Sequence, residues 1–266
     1  MGVISFMATG FFRTSGTGIT DVQDILDELD DALTAQLDVE DRWTEAPAGT
    51  FTSPADLAGR QMKIVVARDS ATRMLFDVKD QNGLTIRDGS IDIAATANFR
   101  IWCGPHHVYV EVDDGAGAYE VARASMLDPR PEVLNAHQRY VVGMTTRDGS
   151  GNLDGNSPLP EFWSFFDTGG VAGFGRALWL RAANANSYKT ANAMELTTGI
   201  PIVMNPNTTP ERFAGSLFQA VWVDADNAPG DIVDAPIADG VTGEFEVLGL
   251  DTASAAGNVR LAVRAG

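Results

Sequence analysis

The feature that most constrains the fold is a long series of short apolar runs separated by turn residues. After Pro47-Ala48-Gly49, runs rich in Val, Ile, Phe and Thr alternate with clusters of Gly, Pro, Asn and Asp. This pattern is typical of strands, and no long helical crossovers lie between the runs, which argues against a parallel α/β sheet. The sequence therefore predicts a mainly β protein, antiparallel and β-sandwich-like.

The strands can be placed approximately. Two hairpins are predicted, one from 62–68 with 73–79 and one from 99–103 with 108–112, and a further strand from 139–147. The stretch 118–127 fits either a helix or a strand. In the second half the predicted strands are 161–166, 177–182, 200–204, 217–223, 244–248 and 259–263. The polar loop 148–160 is the best internal boundary, which gives an N-terminal arm and helix (1–45), a β-rich domain (46–147) and a second β-rich domain (148–266), separate from the first or packed with it.

One amphipathic helix precedes the strands. Thr20 and Gln23 have the spacing of a capping box, and the helix is expected to end near Leu37. Its apolar positions recur at helical spacing and include Val22, Ile25, Leu26 and Leu29. Its other face is acidic, so the helix needs tertiary support.

The segment before the helix carries three phenylalanines, Phe6, Phe11 and Phe12. Large apolar side chains lose about 1.5–3 kcal/mol each when left in water. They are expected to dock on the body of this chain or on a neighbouring subunit; the alternative is a flexible terminus. The apolar stretch 3–12 is too short to span a bilayer and has no basic region before it, which predicts synthesis in a cytoplasm without a signal peptide.

Charge narrows the classes of function. The chain has 36 acidic against 19 basic residues and a formal net charge of −17, which disfavours a nucleic-acid-binding surface. A single cysteine, Cys103, allows no intrachain disulfide. Cys103, His106 and His107 are residue types that can bind zinc. Because consecutive side chains of a strand point to opposite faces, both histidines cannot easily reach one ion. The preferred interpretation is that these are turn residues beside a hairpin.

Two acidic loops could hold calcium. Ser150, Asn152, Asp154 and Glu161 match positions of an EF-hand loop, although the first ligand is Ser and two prolines interrupt it. Asp224, Asp226 and Asp231 form a second oxygen-rich turn. A solvated loop is preferred in both cases, and the sequence predicts no required cofactor.

Catalytic motifs are missing from the sequence. The glycines at 169–175 lack phosphate-loop spacing, and no nucleophile elbow occurs. An acidic glycosidase pair stays open, since such pairs are defined in space. The sequence predicts that the protein is not an enzyme.

Aromatic residues are the main candidates for contact. Phe162, Trp163 and Phe165 lie in one short run, and Trp179 lies in a later predicted strand. The preferred interpretation is that these rings are buried inside the sandwich. Rings that point outward would instead form subunit contacts. Under an alternative hypothesis, Trp163 and Trp179 stack on sugars in a carbohydrate-binding or host-adhesion β-sandwich, with or without calcium.

Several of these segments resemble virion proteins of tailed bacteriophages. The resemblance covers mainly residues 20–90 and rests on the acidic helix 21–37, the sequence Arg42-Trp43-Thr44-Glu45, the segment 49–56 and the following Gly59-Arg60. It implies a structural subunit of the neck, tail or particle surface, present in the virion, that binds copies of itself and other virion proteins. The predicted contacts are the three phenylalanines of the lead, the apolar helix face and the aromatic run at 162–165, with no specific nucleic acid and no membrane.

Overall fold

The structure is a computed structural model, and it describes part of the chain. The described residues are 10–56, 59–93, 95–113, 119–126, 139–144, 163–167, 177–179, 200–204, 212–217, 220–224, 227–238, 241–249 and 259–265, with backbone only for the strands between 139 and 217 and for residues 222, 224, 236–238, 241 and 259–261. Within them the protein is mainly β, with antiparallel sheets and one N-terminal helix, which confirms the predicted fold class.

The elements follow one another along the chain. The strands and the helix are β1 (Phe12–Ile19), α1 (Gln23–Asp31), β2 (Thr44–Glu45), β3 (Thr50–Thr52), β4 (Met62–Ser70), β5 (Arg73–Asp80), β6 (Thr85–Asp92), β7 (Ala97–Gly104), β8 (His107–Asp113), β9 (Tyr119–Met126), β10 (Arg139–Met144), β11 (Trp163–Asp167), β12 (Ala177–Trp179), β13 (Ile200–Met204), β14 (Arg212–Leu217), β15 (Ala220–Asp224), β16 (Ile232–Ala238), β17 (Val241–Val247) and β18 (Val259–Arg264). A π-helical turn, Ala32–Gln36, continues α1.

These strands form four sheets. The central sheet has the order β1-β7-β8-β9-β10-β11, and the N-terminal sheet has the order β2-β3-β4-β5-β6. A three-stranded sheet has the order β12-β13-β14, and the C-terminal sheet has the order β15-β18-β17-β16. The central sheet takes strands from all three predicted segments of the chain, and the division into domains stays a prediction.

Both predicted hairpins are confirmed. Strand β4 pairs with β5, and β7 pairs with β8 in continuous register from Asn98 opposite Asp113 to Gly104 opposite His107. The segment 118–127, which fits either a helix or a strand by sequence, contains strand β9. Strand β1 was not among the predicted strands, because its glycines and small polar residues give no alternation of apolar and polar side chains.

The main core lies between the N-terminal sheet and one face of the central sheet. Strand alternation turns every second side chain inward. The N-terminal sheet contributes Met62, Ile64, Val66, Met74, Phe76 and Val78, and the central sheet contributes Phe99, Ile101, Cys103, Val108, Val110, Val112, Ala122 and Ala124. Phe12 of β1 packs against the same cluster, so the lead segment docks on the body of its own chain from this residue onward.

The helix is held by this core. Its apolar residues Val22, Ile25 and Leu29 are completely buried, and Leu26 packs beside them. The predicted Thr20 capping box is wrong: the side chain of Asp21 accepts the hydrogen bond from the Gln23 backbone N–H at 2.9 Å. The N-cap position is held by the apolar Val22 with no side-chain hydrogen bond, so Asp21 satisfies one unpaired amide from the residue before it. The helical segment gives way to extended backbone at Leu37, close to the predicted end.

None of the described helices is long and apolar enough to cross a membrane.

Candidate functional site

The second face of the central sheet carries buried charges where a β-sandwich ordinarily places apolar residues. Arg100 and Trp102 of β7, Glu111 of β8 and Arg123 of β9 alternate with the inward core residues and so point away from the main core. Glu111 is 1% exposed and Arg123 is 0% exposed. Buried charges of this kind need hydrogen-bonding partners, and the C-terminal sheet supplies some of these partners.

Glu111 lies at the middle of this arrangement. One oxygen of its carboxylate accepts a hydrogen bond from the Arg100 guanidinium. The other accepts from Arg123 Nη2 at 2.9 Å and from the backbone N–H of Gly249 at 2.8 Å. Because Gly249 follows β17, this last bond ties the C-terminal sheet to the central strand β8.

Glu246 of β17 is the matching acid from the other sheet. Its neighbours in the strand, Phe245 and Val247, belong to a separate apolar cluster of the C-terminal sheet. Alternation therefore turns Glu246 toward the central sheet, where it is 1% exposed. Its carboxylate accepts hydrogen bonds from Nε and Nη2 of Arg13, from Arg100 Nη1 at 3.3 Å and from the indole N–H of Trp102 at 3.1 Å.

We call the five charged residues Arg13, Arg100, Glu111, Arg123 and Glu246 the charge cluster. Arg100 bridges its two carboxylates, with Nη2 on Glu111 and Nη1 on Glu246. Burial disfavours the charged form of Arg100, but the two neighbouring carboxylates together raise its pKa. The guanidinium of Arg100 also lies over the ring of Trp102, 5.5 Å from the ring centroid, in a cation–π contact.

Two glycines allow the sheets to approach. A side chain at position 249 would collide with the ring of Tyr119, so the amide of Gly249 reaches Glu111 only because it has none. Gly230, which has a φ of +90°, lies against Arg100 in the same way: a Cβ there would be 3.0 Å from Nη1. The junction between the sheets is thus closely fitted around the charges.

The charge cluster is arranged to hold two sheets together, not to bind a substrate. Every oxygen of both carboxylates accepts at least one hydrogen bond from the protein. Both glutamates are 1% exposed, and each accepts hydrogen bonds from guanidinium groups. The sequence does not predict the cluster, because charged residues at the alternate strand positions of Arg100, Glu111 and Arg123 are typical of a solvated sheet face.

The predicted contact residues fall in two groups. Val22, Ile25, Leu26 and Leu29 are covered by the chain's own core, so their burial requires no second subunit. Phe11 lies under the guanidinium of Arg264, 4.7 Å from the ring centroid. Phe6 lies outside the described residues, as do Phe162 and the side chains of Trp163 and Phe165. Subunit contact through any of these residues stays a prediction.

The structure separates the zinc-ligand types. Cys103 faces the main core, and burial raises the pKa of its thiol to about 12. His107 lies on the opposite face beside Tyr109, with 5.2 Å between the ring centroids. Burial, aided by His106, lowers the pKa of His107 to about 3. The side chains of Cys103 and His107 therefore lie on opposite faces of the sheet and do not converge.

The calcium and sugar candidates lie mostly outside the described residues. This holds for Ser150, Asn152, Asp154, Glu161 and Asp226, and for the side chains of Asp224, Trp163 and Trp179. Asp231 is described: its carboxylate accepts a hydrogen bond from the backbone N–H of Ala228 at 2.7 Å. Among the described residues no group of three or more His, Cys, Asp or Glu is placed to hold a metal ion.

Neither the protein-family models nor the curated proteins contain a match to this chain.

Proposed function

We propose that the protein is a non-enzymatic structural subunit that assembles through subunit contacts in the neck, tail or surface of a bacteriophage particle. The observation that carries the proposal is the charge cluster, because its ionisable side chains join two sheets instead of facing a ligand. A subunit that transmits force through contacts with its neighbours benefits from layers that cannot slide past one another. Buried ion pairs of fixed geometry supply that kind of registration.

Catalysis at the charge cluster is disfavoured by its geometry. An acid–base pair of carboxyl groups must reach the substrate, and the glycosidase alternative needs open space between its two acids. Here Arg100 occupies the space between Glu111 and Glu246 and bonds to both. The acids are 1% exposed, so a sugar has no access to them.

The acidic surface of α1 also supports a role as a particle component. Asp24, Asp27, Glu28 and Asp31 are exposed on the side of the helix opposite the core. Exposed Asp38, Glu40 and Glu45 continue this surface beyond the helix. A surface of one sign repels phosphate backbones, so the subunit could line or adjoin a DNA conduit without adhering to the duplex.

The contact area in this proposal comes from the aromatic run on β11. In the described part of the central sheet, β11 stands at the end of the strand order opposite β1. A terminal strand with large rings is well suited to a subunit interface, where aromatic side chains contribute much of the binding energy. The lead before residue 10 is the second contact candidate.

The experiment compares the mass in solution of three proteins by light scattering. The wild type is expected to form an oligomer, and a Trp163→Ser, Phe165→Ser double variant is expected to dissociate to monomers. The matched control is Leu75→Ser, which changes a side chain that is 39% exposed on the N-terminal sheet and is expected to keep the wild-type mass. Circular dichroism establishes that each variant is folded. An oligomer unaffected by the double change, or a monomeric wild type, would refute this interface.

A further inference from the structure

The first and last described parts of the chain contact each other through their side chains. Arg13 of β1 forms a forked ion pair with Glu246 of β17, 233 residues later. Phe11, just before β1, lies against Arg264 of β18. Two separate contacts therefore connect the N-terminal strand to two strands of the C-terminal sheet.

Glu246 depends on Arg13 more than on its other partners. Arg13 provides two N–H donors in a fork, the geometry that fits a carboxylate best. Arg100 contributes a longer contact of 3.3 Å and is shared with Glu111. The remaining donor is the neutral indole of Trp102. If β1 left its place, Glu246 would keep a buried negative charge with only these two weaker partners.

Arg13 is also the accessible member of the charge cluster. Its side chain is 37% exposed, compared with 1% for Glu246 and 17% for Arg100. In the described sheet β1 is a terminal strand that pairs with β7 alone. A binding event that moves the start of the chain would therefore act first on the Arg13–Glu246 pair.

We propose that β1 and the C-terminal sheet are conformationally coupled through the Arg13–Glu246 pair: release of one loosens the other as a unit. An uncompensated buried charge is costly, so the docked sheet loses stability when its counter-ion is removed. The coupling is reciprocal, because a free energy shared by two parts acts on both. This proposal does not depend on the proposed function.

Hydrogen exchange followed by mass spectrometry on the full chain tests the coupling. In an Arg13→Met variant we expect the amides of β16, β17 and β18 to exchange at least about tenfold faster, together. In a Glu246→Gln variant we expect faster exchange in β1. Strands β4 to β6, which do not touch the pair, are expected to keep the wild-type rates in both variants.

The control is Arg68→Met, which removes the exposed forked pair with Asp21 and is expected to leave β16 to β18 unchanged. If Arg13→Met does not fold, Arg13→Lys is used instead: lysine keeps the charge and loses the fork, so a smaller acceleration of exchange, still confined to β1 and β16 to β18, is expected. Faster exchange confined to β1 and its neighbour β7 would overturn the proposal. Equally faster amide exchange in all sheets, or unchanged exchange in β16 to β18, would overturn it as well.

Discussion

The backbone N–H of Gly249 donates a 2.8 Å hydrogen bond to the buried carboxylate of Glu111, 138 residues earlier in the chain. The same oxygen accepts Arg123 Nη2. A backbone amide of one sheet and a guanidinium of another thus share one acceptor. Loss of the Glu111 carboxylate would therefore remove an acceptor shared by Arg100, Arg123 and the Gly249 amide.

We expect Glu111→Ala to destabilise the protein by about 3–5 kcal/mol, because the buried Arg123 would lose the carboxylate that its Nη2 contacts and Arg100 would keep only Glu246. Urea denaturation followed by fluorescence measures the change. The control is Glu28→Ala, an exposed helix residue whose carboxylate accepts from Thr14, with an expected change within about 0.5 kcal/mol. Equal effects of the two substitutions would contradict the structural role of the charge cluster.

Trp43 anchors the segment after the helix to the central sheet. Its indole N–H donates a buried 2.9 Å hydrogen bond to the backbone oxygen of Gly104. Trp43→Phe keeps most of the ring but leaves that oxygen without its donor, so we expect a loss of about 1–3 kcal/mol. Val39→Ala, at a side chain that is 75% exposed, serves as the near-neutral control. A thermal melt in which both variants match the wild type would speak against this anchor.

Burial of His107 should make the protein acid-sensitive. The folded state keeps this imidazole neutral down to about pH 3, whereas the unfolded chain binds a proton below its ordinary pKa of 6.5. The free energy of unfolding therefore falls as the pH drops from 6.5 toward 3, and this contribution is fully present above 6.5. His106 acts in the same direction, since burial lowers its pKa too.

The measurement is a series of urea titrations between pH 7.5 and 4. His107→Gln is expected to reduce the slope of unfolding free energy against pH by up to about one bound proton and to leave the contribution of His106, which has the same sign. An unchanged slope in the variant would mean that His107 is protonated in the folded protein.

The thiol of Cys103 is expected to be inert in the native state. It is buried in the main core, and its pKa is raised to about 12, so almost no thiolate is present at pH 8. A thiol-reactive chromophore should label the protein only in urea. Rapid labelling of the folded chain would contradict the placement of this side chain.

The sequence was informative where one local rule decides the structure. The hairpin β4–β5 was predictable because apolar residues alternate on both sides of an Asp-Ser-Ala-Thr turn. The helix was predictable from its apolar spacing, but its start was not: Val22 stands at the N-cap with no side-chain hydrogen bond, and Asp21 accepts from the Gln23 amide.

The charge cluster could not be predicted from spacing. Arg100, Glu111 and Arg123 occupy alternate strand positions that look solvated until a second sheet covers them, and the covering residue Glu246 is 146 residues from Arg100. Strand β1 was not predictable for a related reason: its glycines have weak strand propensity, and long-range pairing with β7 overrides it.

The most direct test of the proposed assembly role is the mass of the wild-type protein measured by light scattering across a hundredfold range of concentration. The proposal predicts a species of several 28.3 kDa chains whose proportion grows with concentration. A constant mass of one chain over the whole range would contradict it.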